Sequence, residues 1–169
     1  MSSTLHPEAN KSRRHRRTWF GAALSVLLFA TGVSAAPARV EDFDAGTWSR
    51  LRSDLPRPAV VVFSTTYCAI CPEAFAMLAD TIEARRLKAP LVAVVMDGEG
   101  HSGLLREAHY ARADRLFVFR GQEAAVRYAV NKRWRGVTPF VVLLGKGRAP
   151  VFVTGLPPAS VLESWAQAK

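Results

Sequence analysis

The sequence predicts an α/β fold, a central mixed sheet flanked by helices, and three observations carry that prediction. Two continuous apolar, β-branched runs, Ala59-Val-Val-Val-Phe63 and Leu91-Val-Ala-Val-Val-Met96, have the character of strands buried on both faces. Between them, residues 72–87 place Phe75, Leu78, Ala79 and Ile82 at helical spacing, so that strand, helix and strand form a right-handed parallel crossover. Further on, Phe140-Val-Val-Leu-Leu144 and Val151-Phe-Val153 flank Gly145-Lys-Gly147 as a hairpin.

The remaining elements follow in order. Lys11, Arg13, Arg14, Arg16 and Arg17 precede an uncharged run over residues 18–38 that ends in small residues, the arrangement of an export signal. Val33-Ser-Ala35 fits the cleavage rule, so residues 1–35 read as a signal peptide and 36–169 as a single domain. Arg16-Arg-Thr-Trp-Phe20 resembles a twin-arginine signal, and ordinary Sec export fits as well. The expected location is periplasmic or otherwise extracytoplasmic, with membrane anchoring if the segment is retained.

Val40-Glu-Asp-Phe43 reads as an edge strand, and residues 46–53 as a helix turning Trp48 and Leu51 inward before Pro56 and Pro58. In the helix over 72–87, Glu73 near the start and Arg85, Arg86 and Lys88 at the end suit the helix dipole. Asp97-Gly-Glu-Gly100 reads as a turn, lacking the ligand series of a calcium loop. Ser102 is expected to cap a helix to about residue 111, residues 116–119 to form a strand, and 122–133 a helix with Ala125, Val126 and Ala129 inward. Pro158 opens the last helix, with Val161, Leu162 and Trp165 on one face.

Charge narrows the partners. The formal net charge is +9, but residues 1–35 hold five Lys/Arg against one acid, leaving +5 for residues 36–169. No clustered cationic face with interleaved aromatics marks a nucleic-acid binder.

The chain has two cysteines, Cys68 and Cys71, and a bridge between them closes too short a loop to staple the fold. Disulfide exchange needs one deprotonated, reachable thiol and a second close enough to attack the mixed disulfide. Cys68 falls between a buried strand and a helix, where unpaired N–H groups and the dipole stabilise a thiolate, so it is the expected nucleophile. Cys71, one turn further in, is the expected resolving thiol, and Pro72 is tolerated because it sits in the first turn. Cys-x-x-Cys also occurs in haem attachment, which needs His where Pro72 stands, and in zinc sites, for which only His101 and His109 remain beyond the signal. Both histidines are expected at the surface.

Val61-Val-Phe-Ser-Thr-Thr-Tyr-Cys-Ala-Ile-Cys-Pro72, with Gly136-Val-Thr-Pro-Phe140 and the following hairpin, resembles the thioredoxin superfamily over nearly all of residues 40–169. The extra helix, strand and helix before Pro139 resemble its TlpA-like periplasmic branch. The resemblance implies a cis bond at Pro139 beside the cysteines, with Thr138 pairing to an extended substrate chain. It also implies a substrate edge to which Tyr67 contributes. The chain departs from the superfamily pattern in having Tyr67 where Trp is usual and Val62 where a buried acid often assists the second cysteine. Trp134 either lines a substrate groove or packs under the loop. Lys132, Arg133 and Arg135 read as the solvated cationic end of a helix, as a positive potential favouring the Cys68 thiolate, or as an attraction for acidic partners.

The expected activity is thiol:disulfide exchange with cysteines of exported proteins, completed by a membrane or periplasmic redox partner, by a monomer with no cofactor and no metal. An apocytochrome or a metalloenzyme under assembly is a fitting substrate. The rival reading is a non-enzymatic copper-binding chaperone using the same cysteines.

Overall fold

The computed structural model describes residues 1–2 and 36–167. The expected signal and its cleavage site therefore lie outside the described residues. In chain order the elements are β1 Val40–Phe43, α1 Ala45–Asp54, β2 Ala59–Ser64, α2 Cys71–Ala84, β3 Leu91–Val95, β4 Arg115–Phe119, α3 Glu123–Val130, β5 Phe140–Leu144, β6 Val151–Thr154 and α4 Ala159–Ala166. No helix among the described residues is long and apolar enough to cross a membrane.

The strands form one mixed sheet in the order β1-β4-β3-β2-β5-β6. β1, β4, β3 and β2 are parallel, and β5 and β6 join antiparallel. β2 and β3 are buried at every position, as runs without alternation require when neighbouring strands flank both edges and helices cover both faces. Alternate residues of β2 feed two cores. Val60 and Val62 pack with Phe75, Leu78, Leu162 and Trp165 beneath α2 and α4. Val61 and Phe63 pack with Trp48, Leu51, Val126 and Trp134 beneath α1 and α3.

Helix starts are set locally. At α1 the Thr47 N–H donates to Asp44 Oδ1 at 2.7 Å while the Asp44 N–H donates to Thr47 Oγ1 at 3.2 Å, a reciprocal cap. Arg57–Pro58 and Thr138–Pro139 are cis peptides.

Four expectations are corrected. The helix expected from Ser102 to residue 111 is instead two 3₁₀ turns, Leu104–Arg106 and Tyr110–Arg112. The buried residues there, Leu104, Tyr110 and Ala113, recur in steps of three and six, which suits the three-residue period of 3₁₀ turns rather than an α-helical stripe. In α3 the inward residues are Val126 and Val130, whereas Ala125 and Ala129 are exposed. That helix stops at Val130, where Asn131 turns extended, so Lys132, Arg133 and Arg135 belong to a loop and not to a helix end. Likewise α2 closes at Ala84, leaving Arg85, Arg86 and Lys88 just beyond it.

Candidate active site

The site is assembled where β2 leaves the sheet. Its parallel neighbour β3 is followed by Asp97, whose carboxylate accepts the Thr66 N–H at 2.8 Å and the Thr66 hydroxyl at 2.5 Å. The residue read from sequence as part of a simple turn therefore holds the chain just before the cysteines. Two overlapping turns follow: the Cys68 N–H donates to the Thr65 carbonyl and the Cys71 N–H to the Cys68 carbonyl, each at 3.2 Å.

Cys71 is the first residue of α2 and is 1% exposed, while Cys68 precedes the helix and is partly exposed. The two form a disulfide with Cα atoms 5.4 Å apart. No side chain caps α2, Pro72 lies in its first turn, and Glu73 follows. The N-terminus of this 14-residue helix thus lies on the Cys68 side, where its partial positive charge favours a thiolate. An incoming thiolate can reach Cys68, and Cys71 is shielded.

On the opposite edge of β2 runs β5, antiparallel, with Phe63 opposite Phe140. Continuing that register by one and two residues brings Pro139 to Ser64 and Thr138 to Thr65. The Thr65 and Thr138 hydroxyl oxygens lie 3.4 Å apart. The cis Thr138–Pro139 peptide therefore sits at the level of the turn that carries Cys68. Pro139 is buried, and its carbonyl accepts the Gly155 N–H at 2.8 Å, which ties it to the end of β6.

Four features sit together: parallel β2 and β3 joined through a helix, a cysteine pair at that helix's start, a cis-proline opening the adjacent antiparallel strand, and a closing hairpin and helix. The fold is thioredoxin-like. Its departure from the shortest such arrangement is β4, which lies between β1 and β3 and brings the 3₁₀ turns and α3 with it.

No protein-family model matches the chain, and no curated protein sequence matches it. Several solved structures are similar to it. A thio-disulfide isomerase from Thermus thermophilus is 17% identical, covering 70% of this chain and 84% of that one at a TM-score of 0.49. A secreted disulfide oxidoreductase from Mycobacterium tuberculosis is 16% identical, covering 66% and 81% at 0.45. The apo Sco1 protein from Thermus thermophilus is 16% identical, covering 70% and 77% at 0.42.

Beside the cysteines of this thioredoxin-like fold, Tyr67 is 80% and Ile70 45% exposed, and Val137, just before Thr138, is 56% exposed. Trp134 does not share that surface. It is 6% exposed, stacks on Phe140 at 4.5 Å, and donates its indole N–H to the Val137 carbonyl at 3.0 Å. Of the two sequence readings, packing under the loop is the one found.

Beneath the cysteines on the α2 face, β2 presents Val60, Val62 and then Ser64, with no carboxylate. Ser64 is fully buried, and its hydroxyl lies 3.0 Å from that of Tyr110. Burial pushes the Tyr110 phenol above its ordinary range and keeps it neutral. Tyr110 packs edge-on against Phe75, one helical turn beyond Cys71, at 5.4 Å. His109, expected at the surface, is half-buried against Phe75 and Tyr110, and desolvation lowers its pKa. His101 is exposed. No sequence signal marks the Ser64–Tyr110 pair, because its members lie 46 residues apart and each type is common in loops.

Proposed function

We propose that the chain is a thiol:disulfide oxidoreductase that exchanges its Cys68–Cys71 disulfide with cysteines of exported partner proteins. The observation that carries this reading is the asymmetry of the pair: Cys68 partly exposed before a helix start, Cys71 buried as the helix's first residue.

In the oxidising direction a partner thiolate attacks Cys68 Sγ, the Cys68–Cys71 bond breaks, and the Cys71 thiolate leaves. A second partner thiolate then attacks the partner sulfur of the mixed disulfide, releasing the Cys68 thiolate. The partner gains a disulfide and loses two electrons, and this chain holds the dithiol. Reduction of a partner is the same sequence reversed, with Cys68 as nucleophile and Cys71 resolving. Thr138 and cis-Pro139 shape the edge along which the partner's backbone lies, Tyr67 extends the contact, and Trp134 fixes the loop from below. A periplasmic or membrane redox partner resets the pair, and the basic and apolar N-terminal segment supports export.

Cys71→Ser tests the reading, since it removes the resolving step while leaving Cys68 free. In extract the variant is expected to accumulate mixed disulfides that dithiothreitol releases. Folded Cys71→Ser protein that forms no adduct with any cysteine protein overturns the proposal. Tight stoichiometric Cu(I) binding by the reduced wild type, without exchange, would move the assignment to a copper chaperone.

A further inference from the structure

The strand order separates charge across the disulfide. On the β3 side of β2, Asp97 is engaged by Thr66, and Glu99 is paired with Arg120. On the β5 side runs the loop from Asn131 to Thr138, with Lys132, Arg133 and Arg135 exposed. Among the described residues none of these three cations forms an ion pair. Lys132 instead lies 5.5 Å from the ring of Tyr128, itself 59% exposed. The neighbouring Arg127 is partly buried and compensated by Glu123 at 3.1 Å, so it adds little net charge.

The loop is also held in place. The Arg133 N–H donates to Asn131 Oδ1 at 2.8 Å, the Trp134 N–H donates to the Asn131 carbonyl at 3.0 Å, and the Trp134 ring is buried. Gly136, at φ +85°, turns the chain back over the Arg127 side chain, a conformation other residues rarely adopt. Anchoring Trp134 inward leaves the cationic residues on either side of it outward, Arg135 two positions before exposed Val137 and three before Thr138.

We propose that this loop is a cationic docking surface that selects partner segments carrying acidic residues beside the reacting cysteine. The inference rests on the exchange reading and adds the chemical class of its substrate. Unpaired arginines and an aromatic ring beside an apolar contact suit a protein interface, and charge of this kind acts mainly on the rate of encounter.

The test uses reduced protein and peptides with one internal disulfide, identical except for flanking Asp, Ser or Lys residues. Each turnover converts one peptide disulfide to a dithiol and the Cys68/Cys71 dithiol to a disulfide. At low salt the acidic peptide is expected to react about tenfold faster than the basic one, with the ratio shrinking as salt screens it. Charge reversal, K132E/R133E/R135E, is expected to invert the ratio, and the neutral K132Q/R133Q/R135Q to bring it near one. Using ratios removes any general loss caused by the substitutions. Equal rates for all peptides in the wild type, or a preference for Lys, overturns this inference while leaving exchange intact. Failure of the dithiol form to reduce any peptide or small disulfide, and of the disulfide form to oxidise any peptide or small thiol, overturns the exchange reading itself. Binding to phosphatidylglycerol vesicles that the neutral variant abolishes, without a peptide preference, assigns the surface to a membrane and overturns the proposal.

Discussion

Ser64 and Tyr110 illustrate how a pair of residues is more than its members. Each is buried, and each hydroxyl has the other as its partner at 3.0 Å. Ser64→Ala strands the phenol in an apolar setting and is expected to cost about 1–3 kcal/mol of stability. Adding Tyr110→Phe removes the stranded group, so the double variant is expected to be more stable than Ser64→Ala alone in urea denaturation. A double variant less stable than the single one would show that the Tyr110 hydroxyl retains another partner. Thr66 and Asp97 are coupled by different means, through two hydrogen bonds to a carboxylate. Because these bonds are exposed, Asp97→Ala is expected to cost only about 1 kcal/mol and to slow disulfide exchange by loosening the turn before Cys68. Asp97→Asn keeps an acceptor and should lose less on both counts.

At the scale of elements, β1 is an edge strand held to β4 by side chains as well as backbone. Arg115 donates through Nε and Nη2 to the two carboxylate oxygens of Glu41, both at 2.8 Å. The hydrogen bond from Arg115 holds the Glu41 carboxyl below its ordinary range, against the opposing effect of burial. Because the folded value lies below the unfolded one, the stabilisation is complete above the usual carboxylate range of about 4.3 and is lost as pH falls through the folded value. Partial exposure limits it to no more than about 1 kcal/mol. Glu41→Gln should lower the melting temperature at pH 7 and narrow the difference between pH 7 and pH 3. An unchanged difference would place the acid sensitivity elsewhere. The elements also mark where sequence reading succeeded. Periodicity located α2 and α4, and apolar runs located β2, β3 and β5, because these patterns record neighbours one or two turns away. It failed between Gly100 and Ala113, where no run is long enough to favour an α-helix over successive 3₁₀ turns.

For the whole molecule, Phe63 joins the sheet to the elements that carry the site. Its ring lies 4.9 Å from Trp134, 5.5 Å from Phe43 and 6.2 Å from Phe140. Phe63→Ala is expected to destabilise the fold by about 3–5 kcal/mol through lost burial and a cavity under the Trp134 loop. Sequence pattern alone located the α/β class, all six strands, and Cys68 and Cys71 at a strand-to-helix junction. Those properties follow from local backbone preference and from apolar spacing along the chain. Long-range packing set the rest: β4 between β1 and β3, Trp134 facing inward, and Asp97 and Thr138 flanking the cysteine turn from opposite sides. A fully apolar strand records that both its faces are covered, but not which strands cover its edges. That choice comes from the packing of distant segments, which brings Cys68 between an anchored carboxylate and a cationic loop.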